Sequence, residues 1–150
     1  MITKQHTVHT SAPVGIVFAY LADFTNAQEW DPNAVKVTRL LGDGGVGSTY
    51  RVTSRFAGAK TDLDYELTDL EPTSLIRLRG HKSSLTAVDT ITIAPEGAVP
   101  GRAYARRSQR QRGLLTDGAG AALPAGGAGA AEGVAAVVAG ATVAAGVGIA

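Results

Sequence analysis

The sequence predicts an α+β fold built on an antiparallel sheet, and three observations carry that expectation. A strand-like opening leads into two short helical segments, then into a run of five alternating segments at hairpin spacing. Within those segments apolar side chains mostly share one parity and polar ones the other, so the sheet has an apolar face that something must cover. Both periodicities stop in the last fifty residues, where 11 Gly and 16 Ala occupy 27 positions.

The elements follow in order. Ile2 and Val8 among Thr and His residues suit a strand, which Ser11-Ala12-Pro13 ends. Ser11 is the expected N-cap, with Pro13 in the first turn, where a missing N–H costs little. Val14, Val17, Phe18, Leu21 and Phe24 recur at three- and four-residue spacing, as on one face of a helix. Asn26 is placed to cap a second short helix carrying Trp30, closed at Asp31-Pro32 because proline disfavours helix before it.

Strands are expected over 35–41, 48–56, 61–70, 75–79 and 85–93, with a turn at Gly42-Asp43-Gly44-Gly45. Tyr50 and Val52 share a face, as do Leu63, Tyr65 and Leu67, then Ile76 and Leu78. Leu85, Ala87, Asp89, Ile91 and Ile93 form the corresponding face of the last segment, which therefore buries a carboxylate.

These residues resemble a family. Ala12-Pro13 before Val17-Phe18-Ala19-Tyr20-Leu21-Ala22-Asp23, then Glu29-Trp30-Asp31-Pro32, are similar to the START/Bet v1-like superfamily (SRPBCC), in its bacterial polyketide cyclase/dehydrase and lipid-transport branch. Gly47-Ser48-Thr49-Tyr50, Tyr65-Glu66-Leu67, Leu70-Glu71-Pro72 and Val88-Asp89-Thr90-Ile91-Thr92 add to the likeness, which spans about residues 4 to 97. It implies the helix-grip fold, a curved antiparallel sheet wrapping a long C-terminal helix with an apolar cavity between them. It also implies a small hydrophobic or aromatic ligand, lipid- or polyketide-like, and in some members cyclisation or dehydration of it.

The last third departs from that pattern, so a body over residues 1–100 and an Ala/Gly/Arg-rich tail over 101–150 are expected. Arg106-Arg107-Ser108-Gln109-Arg110-Gln111-Arg112 lacks apolar alternation and reads as a poor core strand. Gly118, Gly120, Gly126, Gly127 and Gly129 each cost a helix about 1 kcal/mol against Ala, and Pro124 about 3 kcal/mol. Out-of-frame reading of a GC-rich gene yields such a composition. Re-read from its second base, 132–138 permits Lys-Gly-Leu-Arg-Arg-Leu-Leu, similar to the family's closing helix. A frameshift near 97–115 is therefore expected, against a genuine Ala/Gly tail or, third, an uncharged membrane segment over 133–150.

Charge and composition exclude several classes. With 14 Lys+Arg against 13 Asp+Glu, net +1, no global field steers nucleic acid or an anionic membrane. Zero cysteines exclude disulfides and thiol chemistry, and the first residues lack the apolar core of a secretory signal, so a cytoplasmic location is expected. No cofactor is indicated. Only His6, His9 and His81 are available as imidazole ligands, and His6-x-x-His9 on a strand is no metal pair. Gly42-x-Gly44-Gly45-x-Gly47 lacks a lysine and lies between strands, so it reads as a hairpin turn, not a phosphate loop.

The candidate site residues are polar groups on the apolar parity. Asp89 is the expected acid or base, with Tyr65 as hydrogen-bond donor and His81 as proton shuttle if its strand keeps the parity of Asp89. Ligand contacts are expected from Trp30, Tyr50, Tyr65, Phe18, Leu63, Leu78 and Asp89. Each also has a structural reading: Asp89 paired with Arg77, Arg79 or a hydroxyl, His81 in an exposed turn, and the aromatics as packing. Ligand binding, a cyclase/dehydrase-type enzyme, and a ligand-free partner module or truncated member all stay open, as does monomer against dimer.

Overall fold

A computed structural model describes residues 2–112, apart from 32, 57–58, 84 and 99–100. The expected closing helix, the Ala/Gly-rich tail and the segment over 133–150 lie outside the described residues. Strand β1 (Ile2–Thr10) leads into helix α1 (Val14–Ala22), a 3-10 turn (Phe24–Asn26) and helix α2 (Ala27–Trp30). Strands β2 (Ala34–Leu41), β3 (Thr49–Phe56), β4 (Ala59–Glu71), β5 (Leu75–Lys82), β6 (Leu85–Pro95) and β7 (Ala103–Arg112) follow.

The strands form one antiparallel sheet in the order β1-β7-β6-β5-β4-β3-β2. Strands β2 to β7 are a meander of hairpins, while the helices carry the chain from the β1 edge across to the β2 edge. They pack on the inner face, α1 against β6 and β7, and α2 and the 3-10 turn against β2. Register shifts between Ala34 and Lys36, Arg39 and Leu41, and Leu67 and Asp69 bend the sheet.

The alternation read in the sequence sorts the faces. Tyr50, Val52, Leu63, Tyr65, Leu67, Ile76, Leu78, Ala87 and Ile91 are buried inward. On the outer face Arg51 bonds Asp64 through Nε at 2.8 Å and Nη2 at 3.0 Å, and Thr53 donates to Asp62 at 2.6 Å.

Strand β7 corrects the expectation that the sheet lacks its last member and ends near residue 100. It lies between β1 and β6 and pairs with both along its length. Its alternation is one of size and hydrogen-bonding capacity, not of hydropathy. Ala103, Ala105 and Gln111 are buried on the parity of Arg107, whereas Arg106, Arg110 and Arg112 are exposed on the other. Small inward residues leave room for α1, and the one inward guanidinium finds carboxylates.

Two helix starts also differ. Pro13, not Ser11, is the N-cap residue of α1, and Thr10 Oγ1 accepts from the Ala12 N–H. Phe24 leaves the α1 stripe because Asp23 ends that helix and accepts from Thr25 N at 3.1 Å to start the 3-10 turn. Asn26 makes no side-chain cap to α2, and donates instead to the Tyr20 carbonyl at 2.9 Å.

The glycine cluster is a structured hairpin loop. Gly42 has φ +92°, and a Cβ there would stand 2.3 Å from Ser48 Oγ, which accepts from Gly44 N at 2.9 Å. Only glycine fits that conformation beside the buried Ser48.

Candidate functional site

The inner face carries one aromatic cluster and one charged group, joined at Trp30. Phe24 is the hub: its ring lies 5.8 Å from Tyr50, 6.1 Å from Tyr65 and 6.4 Å from Trp30, edge-on to Tyr50 and Trp30. Such contacts add about 0.5–1.5 kcal/mol each beyond area burial. The 3-10 turn aims Phe24 inward, and so is what assembles the cluster.

Tyr65 lies across from Gly80, where a Cβ would be 2.9 Å from its ring. The glycine is thus a seat for the aromatic side chain. Burial raises the Tyr65 pKa well above the ordinary phenol value, reinforced by the Asp89 charge, so the group stays protonated and available as a donor. Burial also raises the Tyr50 pKa, followed by Asp23.

The charged group joins three elements. Arg107 of β7 donates from Nε to both Asp89 oxygens of β6 at 3.0 Å, and from Nη2 to Asp89 Oδ2. Its Nη1 donates to Asp31 Oδ2 at 2.9 Å, just after α2. Asp31 Oδ1 meanwhile accepts from Asn33 N at 2.9 Å. The guanidinium carbon lies 4.6 Å from the centre of the Trp30 ring, a cation–π contact. Side-chain exposures of 14% for Arg107, 11% for Asp31 and 3% for Asp89 remove the group almost wholly from water. Burial works against the Arg107 charge, but Asp89 and Asp31 outweigh it and raise the guanidinium pKa further.

Two carboxylates face one guanidinium, so the group has an excess of acceptors. Trp30 Nε1 and Tyr50 Oη are buried without a hydrogen-bond partner among the described residues. Each such group costs on the order of 1–3 kcal/mol. An inward donor-and-acceptor set beside apolar walls is suited to orienting one polar end of an otherwise apolar molecule. No set of three or more His, Asp or Glu among the described residues is placed to hold a metal ion.

Of the expected site residues, Asp89, Tyr65, Trp30 and Tyr50 come together here. Leu63 and Leu78 are buried on the same face, and Phe18 of α1 packs partly buried against the core. Asp89 pairs with Arg107, not with Arg77 or Arg79. His81 is elsewhere. A tight hairpin pairs Lys82 with Leu85 and His81 with Thr86, which gives the inward parity to Gly80 and turns His81 out. It is exposed beside Arg51, Asp62, Asp64 and Lys82, and does not share a face with Asp89.

Three site residues escape a reading of the sequence alone: Phe24, Asp31 and Arg107. Asp31 stood within the quoted Trp30-Asp31-Pro32 string, and Arg107 shares parity with Ala103 and Ala105. Those were the available signals.

The sheet and helices define a Bet v1-like, helix-grip α+β protein. Norcoclaurine synthase of Thalictrum flavum, a point mutant in complex with a transition-state analogue, is 16% identical with a TM-score of 0.69, over 94% of this chain and 97% of that one. A Chromobacterium violaceum protein is 21% identical with a TM-score of 0.65, over 91% and 96%. The di-domain ARO/CYC BexL of the BE-7585A biosynthetic pathway is 16% identical with a TM-score of 0.66, over 91% of this chain and 46% of that one. No curated protein matches the sequence. The chain matches the polyketide cyclase/dehydrase and lipid transport family over residues 1–144, and it belongs to that family. Among the described residues no helix is long and apolar enough to cross a membrane.

Proposed function

We propose that this protein binds a small hydrophobic or aromatic molecule, lipid- or polyketide-like, against the inner face of its sheet, in the cytoplasm. One observation carries the reading: an apolar face whose aromatic cluster adjoins a buried charged group, Asp31–Arg107–Asp89. The apolar part of the ligand packs on Phe24, Tyr65, Leu63 and Leu78. Its oxygen or N–H group meets Asp89, Arg107 or the protonated Tyr65.

The chain's sole tryptophan, Trp30, lies at this junction and reports occupancy directly. Fatty acids and polycyclic aromatics are titrated against Trp30 fluorescence and the melting temperature. Saturable changes in both are expected for at least one class. If no hydrophobic compound moves either signal, the reading fails in favour of a ligand-free partner module or a non-functional member.

A second reading, a cyclase/dehydrase-type enzyme, is favoured by the burial of the Tyr65 phenol and the Asp89 carboxylate on the same sheet face. A phenol kept protonated and a carboxylate on one face offer a donor and a base to one ligand. Chromatography of the bound compound after incubation separates the readings, since a binder returns it unchanged. His81 has no part in either.

We infer that the reading frame is the native one through β7, and that any slip follows Arg112. An out-of-frame strand would not be expected to supply one inward guanidinium opposite both Asp89 and Asp31. Resequencing the gene tests this: a frame change upstream of the Arg107 codon would overturn it.

A further inference from the structure

The outer face of the sheet carries a feature that ligand binding on the inner face does not use. A groove of about 420 Å³ is lined by Arg77 and Arg79 of β5, Val88 and Thr90 of β6, and Ser108 and Arg110 of β7. Strand register makes it a grid. Arg79, Val88 and Arg110 form one row, and Arg77, Thr90 and Ser108 the next. Strand spacing puts the two arginine columns about 10 Å apart, with rows about 7 Å apart along each strand. Side chains as long as arginine reach across such a floor from both sides.

The charges are unbalanced. Strands β5, β6 and β7 present no carboxylate on this face, because Asp89, the only acidic residue in their three spans, points inward. The acidic column of β4 lies beyond β5. There Asp69 takes Arg77 Nη1 at 3.5 Å, and Glu66 stands opposite Arg79 in register. Arg79 and Arg110 have no ion-pair partner within 4.0 Å among the described residues, and both are exposed. Arg77 is already aimed along the floor, its Nε donating to Thr90 Oγ1 at 3.3 Å.

We propose that this groove is a second binding site, for a phosphate-bearing ligand. Guanidinium forks from opposite walls and two hydroxyl donors on the floor converge, as suits a tetrahedral, multiply charged oxyanion. A planar monocarboxylate occupies one fork and leaves the opposite wall unneutralised. The phosphate comes from a soluble oligophosphate-type compound or from a lipid headgroup, and the chemistry recognised is the same. The site is independent of the inner-face reading and stands if that reading fails.

The test uses the full chain with inorganic tripolyphosphate as the soluble probe, followed by calorimetry at low and physiological salt. Saturable binding that weakens with salt is expected, with acetate far weaker. R79Q/R110Q should lose about tenfold in affinity per guanidinium removed. R55Q/K60Q removes the same charge from the β3–β4 hairpin outside the groove and should bind as the unaltered chain does. Glu66→Gln removes the carboxylate that stands opposite Arg79 in register, and with it a repulsion on the incoming anion, and should tighten binding.

Vesicles of phosphatidylglycerol in phosphatidylcholine form the second arm. Capture by them that R79Q/R110Q abolishes, without binding of tripolyphosphate, assigns the site to lipid phosphate. Binding of neither probe, or equal loss in both double variants, overturns the proposal.

Discussion

Replacing Arg107 by methionine keeps most of the side-chain stem but deletes every donor that holds Asp89. The lost set is explicit: two bonds from Nε at 3.0 Å, one from Nη2, and the 2.9 Å bond from Nη1 to Asp31. Asp89, with 3% of its side chain exposed, cannot turn to water for compensation. Removing one partner of a buried ion pair costs about 3–5 kcal/mol, mostly from the charge left behind. Against an ordinary domain stability of about 5–15 kcal/mol that is a large share. At about 4 °C per kcal/mol, the melting temperature falls by about 12–20 °C. Urea unfolding followed by Trp30 fluorescence and far-UV circular dichroism measures it. Because R107M falls close to the limit of folding, R107K serves as a milder companion, keeping the charge but losing the two-sided grip. Asp89→Leu combined with Arg107→Met removes the more deeply buried of the two stranded carboxylates, leaving Asp31, and should recover part of the loss. An R107M chain within about 1 kcal/mol of the unaltered one, or a double variant no more stable than the single, would refute the reasoning.

Two other outcomes follow from the same face. Gly80→Val drives a branched side chain into the Tyr65 ring, which a Cβ alone would approach to 2.9 Å, and should cost about 1–3 kcal/mol by overpacking. Equal stability by urea melt would mean that Tyr65 does not rest on that glycine. Tyr20, Tyr50 and Tyr65 all have raised pKa values, each chiefly through burial, with Glu29 adding to Tyr20. Their folded forms hold protons that the unfolded chain releases from about pH 10. The stability this contributes is therefore complete below that pH and is lost as pH rises further. Absorbance at about 295 nm should show Tyr20, Tyr50 and Tyr65 ionising together with unfolding. Smooth titration of these three in a still-folded chain would contradict it.

The meander from β2 to β6 was readable because alternation and turn residues agreed along 35–93. What hid β7 was the scale used to read it. Hydropathy counts Ala103, Ala105, Arg107, Gln109 and Gln111 as nothing in particular, whereas a sheet face next to a helix wants small residues and satisfied polar ones. Asp89 was legible as an anomaly on an apolar face, yet its partner lies 18 positions away, on a strand that hydropathy did not mark. His81 went the other way because the hairpin pairing Lys82 with Leu85 resets the parity. Pattern within a strand cannot report such a reset; the turn decides it.

The pairing of β1 has a consequence for the order in which the molecule forms. Among the described residues its sheet neighbour is β7, with Ile2 opposite Gln111, so β1 has no strand partner until β7 exists. Hairpins β2 to β6 can assemble as they leave the ribosome, since each closes a short loop. Strand β1 must wait, unpaired, through about a hundred residues of synthesis, which takes on the order of 5–20 s. Helix α1 waits for β6 and β7, whereas α2 and the 3-10 turn meet β2 at once. Any chain cut short before Ala103 would leave β6 as a bare edge and β1 without a place in the sheet. Pairing of β1 into the sheet therefore comes late, and it depends on the same strand that brings Arg107 to Asp89.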